Sequence, residues 1–318
     1  MSFSKFKGFF DSTNGTDTSA YYIYEPDEGI QRRCVIQLVH GMCEYVERYE
    51  HFIEYLCAQG YIVVGNDHLG HGNTAKCDND LGYFAPEMGW TFLPKDMRRM
   101  TLIAAEKYPD LPLVIFAHSM GSFIARAYMV KYGTKYDGAV LCGTSSGEPV
   151  SNAALMLAKT LSLQNGDHYR SEKLENMMSS FSNMRIAVKK TRYDWISRDP
   201  EVVAKYITDK LSSFTFTVRG YYDLVMLLDY VNTPDWAQKI NKDVPLYLIS
   251  GTDDPIGNYG KGVQRVYQRL EEAGVADVEM KLYEGARHEL INETNREEVF
   301  SDINSWIETH VLSRRNDD

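Results

Sequence analysis

The stretch at 111–128 constrains the fold of this chain more than any other part of the sequence. It opens with an apolar run at 113–116, short enough for a buried strand, and from Ser122 onward it has the residues of a helix. Between the two lies Ser119, with one small residue two places before it and another two places after it. Small residues at these positions let a strand and a helix approach closely around a sharp turn. The stretch therefore predicts a serine on a strand-to-helix turn, with its side chain free of the sheet.

This arrangement is typical of a nucleophile elbow, written G-x-S-x-G, which holds a reactive serine in a strained backbone conformation. Ala117 stands in the place of the first glycine, and Gly121 in the place of the second. Alanine adds only a methyl group, so the close packing of strand and helix is retained. On this turn alone, Ser119 is either a nucleophile or an ordinary structural serine.

Segments with the pattern of buried strands alternate with helical segments along most of the chain. A turn rich in Ser, Thr, Asn and Gly joins residues 5–12 to residues 20–25, which predicts an antiparallel hairpin. Repeated strand-then-helix units indicate a mainly parallel sheet with helices on both faces. Besides the strand before Ser119, the predicted strands are 34–39, 61–64, 138–142, 244–249 and 278–283, and the predicted helices around them are 49–57, 96–108, 262–273 and 296–313.

The alternation of strands and helices stops between residues 147 and 233, where helical patterns follow one another without a buried strand. Asp199 followed by Pro200 is typical of a helix cap and a first helical residue, and Thr233 followed by Pro234 predicts one more helix. We expect residues 1–146 and 234–318 to form one core, with 147–233 inserted in it as a helical lid.

Composition and charge exclude several function classes. The chain has 34 Lys and Arg against 44 Asp and Glu, a formal charge of −10, which disfavours nucleic acid and anionic membrane surfaces. No apolar run reaches the length of a membrane span, and the first residues lack the apolar core of a secretion signal. The five cysteines, odd in number and without a C-x-x-C pair, fit a reducing, cytoplasmic location. We expect neither nucleic-acid binding nor stable membrane insertion, and the oligomeric state stays open.

Several polar or catalytic residue types follow predicted strands, and the carboxyl ends of parallel strands meet at one edge of a sheet. A serine hydroxyl becomes a nucleophile when a base removes its proton and a carboxylate orients that base. The order Ser119, Asp254, His288 is the order in which such residues follow an elbow serine. Asp253 is an alternative for the acid, and His310, within the closing helix, is a poorer alternative for the base.

Five segments, in order, resemble those of the lidded α/β-hydrolases of the monoacylglycerol lipase and lysophospholipase group, whose members are often filed with serine aminopeptidases. They are HGMCE at 40–44 with Arg48-Tyr49 (HGxxE…RY), DHLGHGNT at 67–74 (DxxGHGxS, with threonine last), HSMG at 118–121, GTDDP at 251–255 and RHELINE at 287–293. The resemblance extends from about Cys34 to Trp306, nearly the whole chain. It implies an α/β-hydrolase fold with a helical lid and the activity of a serine hydrolase.

The resemblance also implies roles for individual residues. Ser119 would carry the acyl group, His288 would act as base and then acid, and Asp254, just before the proline, would orient His288. The backbone N–H groups of Met42 and Met120 would form the oxyanion hole. The favoured substrate is a small-molecule ester or lipid with one acyl chain, such as a monoacylglycerol or a lysophospholipid. Neither a cofactor nor a metal is implied.

Apolar lid residues either line an acyl-chain pocket or pack the lid helices together, and for any single residue packing is the favoured interpretation. They are Met177, Met178, Phe181, Phe214, Phe216, Tyr221 and Tyr222.

Three other functions stay open. An aminopeptidase of the same fold would need an acid for the substrate's ammonium group, and the candidates are Glu148, Asp194 and Asp223. A non-catalytic binding protein on this scaffold would be expected to lack a triad member, and none is missing here. A metal site has suitable ligand types in His40, Asp67, His68 and His71. Glycines interrupt that cluster and the same residues fit the hydrolase turn, so we interpret them as structural.

Overall fold

A sheet of eight strands runs through the part of the chain that the computed structural model describes, which is residues 3–133, 135–147 and 151–316. At 151–154, 178–181 and 315–316 the description covers the backbone alone. The strands are β1 (Phe3–Asp11), β2 (Thr18–Pro26), β3 (Cys34–Val39), β4 (Tyr61–Asn66), β5 (Leu113–His118), β6 (Gly138–Cys142), β7 (Leu246–Gly251) and β8 (Val278–Tyr283). Their order across the sheet is β1-β2-β4-β3-β5-β6-β7-β8.

The sheet is antiparallel at one edge and parallel elsewhere. The strand β2 runs antiparallel to both β1 and β4, whereas every neighbouring pair from β4 to β8 is parallel. The central strands β3, β4 and β5 are buried along their whole length, as expected where helices cover both faces. The predicted hairpin and the predicted mainly parallel sheet are both confirmed.

Helices lie on both faces of this sheet. They are α1 (Glu50–Ala58), α2 (Leu93–Lys107), α3 (Met120–Tyr132), α4 (Ser151–Asn165), α5 (Glu172–Ser182), α6 (Pro200–Thr208), α7 (Val218–Tyr230), α8 (Lys261–Glu272) and α9 (Arg296–Ile307). Among the residues described, none of these helices combines the length and the apolar content that crossing a bilayer requires.

Alternate side chains of the central strands enter two separate apolar cores, because successive residues of a strand point to opposite faces. Val35 of β3 belongs to the core that includes residues of α2, α3 and α8. The next residue, Ile36, belongs to the core that includes residues of α1 and α9. The sheet is therefore held between two helical layers, and its strand ends are left to carry polar residues.

Two helix starts differ from the sequence prediction. The helix α2 begins at Leu93 rather than near residue 96, because Pro94 lies in its first turn, where a missing backbone N–H costs no hydrogen bond. The helix predicted from Thr233 is only a short 3-10 turn at Trp236–Lys239 before the chain enters β7.

Four helices, α4 to α7, stand between β6 and β7 in the described part of the chain. Asp199 caps α6 as its sequence indicated, with its side-chain Oδ1 accepting a hydrogen bond of 2.9 Å from the backbone of Glu201. The helix α7 packs against both α4 and α3. The helices between β6 and β7 are thus connected through α7 to a helix that covers the sheet.

Arg126 of α3 joins the segment that follows β6 to the segment that follows α7. Its guanidinium donates to the carbonyl oxygen of Ser145 at 2.8 Å, to the Asn232 side chain at 3.0 Å and to the carbonyl of Val231. The side chain is fully buried, and its guanidinium lies 4.1 Å from the ring centroid of Trp236. Burial lowers the pKa of Arg126 to about 9, which still leaves it protonated at neutral pH.

Candidate active site

Ser119 lies on the turn between β5 and α3 in a backbone conformation that few residues other than glycine adopt. Its φ is 51° and its ψ is −120°, and its N–H donates to the carbonyl of Cys142 at 2.9 Å. A side chain at Gly121 would meet the carbonyl oxygen of Val39 at 2.1 Å, so the start of α3 touches the end of β3. Ala117 is fully buried in the strand that leads to the turn. The small residues at this turn permit the close approach of strand and helix.

His288 and Asp254 face each other at the ends of β8 and β7. His288 Nδ1 lies 2.9 Å from Asp254 Oδ1, and both side chains are buried. The carboxylate also accepts hydrogen bonds of 2.9 Å from the Ser250 hydroxyl and from the backbone of Ile256. Burial alone would raise the pKa of Asp254, but His288 and these hydrogen bonds outweigh it and lower the pKa below its usual 3.8. Asp253, its neighbour in the chain, is exposed.

The loop after β3 brings backbone donors to the same place. Gly41 passes so close to Ser119 that an added side chain would lie 3.1 Å from the Ser119 Cβ, which only glycine avoids. Met42 and Met120 line one cavity together with Ser119 and His288. Within the described ranges, neither methionine N–H has a protein acceptor, so both remain able to bind a substrate oxygen.

A buried ion pair that the sequence did not reveal joins this loop to the elbow. Glu44 Oε2 accepts hydrogen bonds from the Gly41 N–H at 2.6 Å and from Tyr49 at 2.5 Å, and it lies 3.1 Å from His118 Nδ1. The other ring nitrogen of His118 lies 3.3 Å from the carbonyl of His288. Burial opposes charge on both partners, but their mutual attraction prevails: it raises the pKa of His118 to about 9 and lowers that of Glu44. His118 is therefore a cation beside the candidate nucleophile.

A second buried ion pair, between Arg48 and Glu289, lies next to the first. The guanidinium and the carboxylate are 2.5 Å apart, and the guanidinium also stacks 5.0 Å from the ring centroid of Tyr206. Burial lowers the pKa of Arg48, whereas the nearby charges of Glu289 and Glu44 raise it. The carboxylates prevail, so the pKa of Arg48 is raised above its usual value. Both pairs connect loops that carry candidate catalytic groups.

The cavity that these residues enclose has a volume of about 270 Å³. Its apolar lining includes Phe123, Leu224, Val225 and Leu228, which we call the apolar wall. Its polar lining residues include Cys43, Glu175, Tyr193, Tyr206 and Tyr221. Ser119 and His288 also face the cavity. Its dimensions and apolar content suit an organic ligand larger than water.

Two of the apolar lid residues singled out in the sequence, Phe214 and Tyr221, line this cavity. Others, Met177, Phe216 and Tyr222, belong to or pack against the apolar core. The side chains of Met178 and Phe181 lie outside the described residues. Sequence periodicity identified apolar positions but could not separate lining from packing.

The family model described as "Serine aminopeptidase, S33" matches residues 30–295, most of the chain. The chain belongs to the S33 family. Among its relatives, a monoacylglycerol lipase of Mycolicibacterium smegmatis is 30% identical over 300 residues, which cover 92% of this chain and 93% of the relative. The crystal structure of a carboxyl esterase from Bacillus coagulans is 34% identical, with a TM-score of 0.89 over 96% of this chain and 99% of the other.

A more distant structure, a monoglyceride lipase of Saccharomyces cerevisiae, shares the fold at 22% identity, with a TM-score of 0.77 over 98% of this chain and 96% of the other. The predicted α/β-hydrolase fold is confirmed by these likenesses, and this member of the S33 family is a serine hydrolase. The resemblance inferred from five short segments is confirmed as well.

The acids considered for an aminopeptidase of the S33 family have other partners. Asp194 accepts hydrogen bonds from the backbone of Lys190 and Thr191, and Asp223 accepts one from Trp90. Neither lines the cavity, and Glu148 lies outside the described residues. Glu175 of α5 does line the cavity, and the sequence did not single it out because nothing local distinguishes it.

The histidines near Asp67 serve the loop that follows β4 in this S33 structure. His40 Nε2 accepts from the backbone of His68 at 3.0 Å, and His71 Nδ1 lies 3.0 Å from the carbonyl of Leu69. Asp67 accepts from the backbone of Val46 at 2.9 Å. Burial lowers the pKa of His40 to about 4 and that of His71 to about 3. Both rings are buried and in contact with backbone groups of the loops around them.

His310, the alternative base, is engaged elsewhere. It follows α9, and its ring lies 2.7 Å from Asp277 and 3.2 Å from Glu279, neither of which lines the cavity.

Proposed function

We propose that this serine hydrolase cleaves esters that carry a single acyl chain, through an acyl-enzyme formed on Ser119. The observation that carries the proposal is the pairing of His288 with Asp254 at 2.9 Å, beside a strained serine in the wall of the same cavity. Asp254 holds the imidazole by Nδ1, which leaves Nε2 to exchange protons with Ser119 and the substrate.

The reaction proceeds in two halves. His288 takes the proton of Ser119 as the hydroxyl oxygen attacks the ester carbonyl, and the backbone N–H groups of Met42 and Met120 stabilise the oxyanion. As the intermediate collapses, His288 gives its proton to the departing alcohol. Water then attacks the acyl-enzyme by the same route and releases the fatty acid, which restores the serine.

The lining of the cavity supports a single acyl chain as the substrate's apolar part. The apolar wall offers Phe123 next to the elbow and one face of α7, where Leu224 and Leu228 are one helical turn apart. We propose that residues 147–233, which contain α4 to α7, form a helical lid over the bound acyl chain. Residues 1–146 and 234–318 then form the core. Among relatives, the lipase of M. smegmatis is named for monoacylglycerols.

We also propose a reducing, cytoplasmic setting. None of the five cysteines forms a disulfide bond, and four of them are buried, where they act as small apolar side chains.

Covalent labelling tests the nucleophile directly. A fluorophosphonate should label the wild-type chain and fail to label Ser119→Ala, with the adduct located on the peptide that contains residue 119. Ser122→Ala is the matched control, because Ser122 lies one turn further on and bonds only to the backbone of Ser119. Unchanged labelling of Ser119→Ala, or none of the wild type, would contradict the proposal and favour a non-catalytic binding protein.

A substrate series separates esterase from aminopeptidase. Esters of one alcohol with acyl chains of increasing length should be cleaved faster than aminoacyl amides, with a preferred length set by the apolar wall. Faster turnover of the amides would overturn the proposed substrate class.

A further inference from the structure

The strand β1 lies at one edge of the sheet, and β2 is its only neighbouring strand in the described part of the chain. It is nine residues long, and most of its side chains are exposed. Phe6 is 52% exposed and Phe9 is 59% exposed. Proteins usually shorten, twist or cover such an edge, because unpaired backbone groups recruit another strand. A long edge strand with two exposed aromatic rings is therefore a candidate interface.

The outer side of β1 presents backbone groups that are ready to pair. On β2, Ala20 faces away from β1, since its N–H donates to the Thr74 hydroxyl and its carbonyl accepts from the N–H of Asp67, both at 2.9 Å. In an antiparallel pair, alternate residues turn toward the partner strand. Phe9 lies opposite Ala20 in the register, so it too faces away from the pair. The residues whose backbone groups point outward are thus 5, 7, 9 and 11.

The sequence of β1 is complementary to itself when two copies run antiparallel with Gly8 at the centre. The opposed pairs, each formed twice, are Lys5 with Asp11, Phe6 with Phe10 and Lys7 with Phe9. They comprise an ion pair, an aromatic pair and a cation beside an aromatic ring, all of which stabilise neighbouring strands. A two-fold interface requires this property, because the same surface of each copy meets the other.

Charge and strand length favour this register over its neighbours. The outward backbone groups meet only when odd-numbered residues face odd-numbered ones. A two-fold centre at Lys7 would place that lysine opposite its own copy, and like charges in opposed positions are destabilising. A centre at Phe9 would pair only residues 7–11 and would leave Lys5 beyond the end of the other strand. The centre at Gly8 pairs the most residues without opposing like charges.

The charged side chains of β1 remain accessible to a second copy. Asp11 is exposed, and its carboxylate makes no ion pair within the described ranges. Lys5 pairs with Glu47, but its side chain is still 32% exposed, so the Asp11 carboxylate of a second copy can approach it. Lys7 stands 5.7 Å from the ring centroid of Phe9 in its own strand, the kind of contact that it would also make across the interface.

The even-numbered residues of β1 add a row of aromatic rings. The Tyr21 ring covers Gly8, where an added side chain would lie 2.6 Å from it. Its centroid is 5.9 Å from those of Phe6 and Phe10 on either side. Pairing about Gly8 brings the rows of two copies together, and burial of these rings adds an apolar contribution to the backbone hydrogen bonds.

We propose that this chain forms a two-fold symmetric dimer in which the β1 strands of two copies pair antiparallel about Gly8. The two eight-stranded sheets then become one continuous sheet. The partner is a second copy of this chain, because the charges and rings of β1 complement one another. The dimer is independent of the ester hydrolysis proposed above.

The test measures molar mass by analytical ultracentrifugation over about a hundredfold range of protein concentration, in which the wild type should pass from monomer to dimer. The buffer contains about 0.15 M salt, which screens the repulsion between two acidic copies beyond about 8 Å. Lys5→Asp and Asp11→Lys should each raise the Kd of the dimer about tenfold or more, because each opposes like charges at two places. Lys261→Asp, at the exposed start of α8, is the matched control and should leave the Kd unchanged.

An equal mixture of Lys5→Asp and Asp11→Lys tests the register. In the mixed dimer both charge contacts are attractive again, so the mixture should dimerise about as tightly as the wild type. A mixture that stays monomeric would overturn the inference, as would a dimer whose Kd is the same in both single variants as in the wild type. A wild type that is monomeric at every concentration would overturn it too, and would leave the edge to a strand of some other protein.

Urea unfolding confirms that each variant is folded before its mass is measured. Lys5→Asp also loses the ion pair with Glu47, and if it does not fold, Lys7→Pro decides. The N–H of Lys7 points outward, so proline there removes a donor to the second copy and spares the hydrogen bonds to β2. Lys7→Pro should be monomeric throughout, and dimerisation as tight as that of the wild type would overturn the inference.

Discussion

Asp253 and Asp254 are neighbours in the chain, yet their surroundings give them opposite roles. Asp254 is buried and bonded to His288, Ser250 and the backbone of Ile256, whereas Asp253 is exposed to solvent. A carboxylate that holds an imidazole in one tautomer is worth far more to catalysis than a solvated one.

Exchange of each aspartate for asparagine should therefore separate them. We expect Asp254→Asn to lower kcat by about 10³-fold or more, because the amide favours the wrong tautomer of His288. Asp253→Asn should stay within about twofold of the wild type, as surface substitutions do. Steady-state kinetics on one ester decides, and a larger loss for Asp253→Asn would contradict the assignment of the acid.

The backbone N–H of Met42 can be tested apart from its side chain. Met42→Pro removes the donor and should lower kcat about 10²-fold, the usual cost of losing one oxyanion donor. Met42→Leu keeps the N–H and should be mild. Normal turnover in Met42→Pro would exclude this backbone group from the oxyanion hole.

The pair of His118 and Glu44 should make stability depend on pH on the alkaline side. The pKa of His118 is raised from 6.5 to about 9, so its contribution is complete below pH 6.5 and is lost as the pH rises through 9. Between these values the free energy of unfolding should fall with a slope approaching about 1.4 kcal/mol per pH unit.

Denaturant unfolding of the wild type and of His118→Asn at several pH values checks this prediction. The variant should be less stable at pH 6.5 and should lose most of the alkaline slope. A slope that persists unchanged in His118→Asn would show that another group titrates there.

At the scale of elements, the sequence predicts individual strands and helices well and the contacts between distant residues poorly. The strands β3 and β6 have the bounds that their apolar runs indicated, because a buried strand is defined by its own residues. The bounds of β8 are also as predicted, although Glu279 and Lys281 alternate with its apolar residues and the strand is only partly buried. The cap of α6 was likewise local, in Asp199 and Pro200. Contacts between residues far apart in the sequence had no such local pattern to indicate them. Glu44 meets His118, and Glu175 meets Tyr221, only through the folded chain, so neither pair could be read from spacing.

The contacts of Arg126 are also between residues far apart in the sequence, and its removal should loosen the junction between the segments at Ser145 and at Val231. Arg126→Met leaves the carbonyls of Ser145 and Val231 without their buried donor, so we expect a loss of about 3 kcal/mol in the free energy of unfolding. Arg98→Met, on the exposed side of α2, is the control and should change stability by less than about 0.5 kcal/mol. Equal losses of stability in Arg126→Met and Arg98→Met, measured by urea denaturation, would argue against this role of Arg126.

At the scale of the whole molecule, net charge governs which lipid surfaces the enzyme approaches. The formal charge of −10 repels anionic interfaces over a distance set by the ionic strength. An ester carried in anionic vesicles should therefore be cleaved more slowly than the same ester in zwitterionic vesicles at about 0.01 M salt, and the gap should narrow at about 0.15 M, where the Debye length is about 8 Å. Initial rates on both kinds of vesicle measure this difference in cleavage rate. A difference that does not change with salt concentration would contradict the electrostatic explanation.

The hydrogen bonds that Arg126 makes to Ser145 and Asn232 bear on how enzymes of this kind can diverge in sequence. Since Ser145 and Asn232 are held side by side, the chain between them is a closed loop whose ends need no further ordering when its interior changes. Lengthening a closed loop is cheap in entropy, about 0.6 kcal/mol for each doubling. The segment between Ser145 and Asn232 can therefore change in length or sequence at little cost to the strands and helices on either side of it.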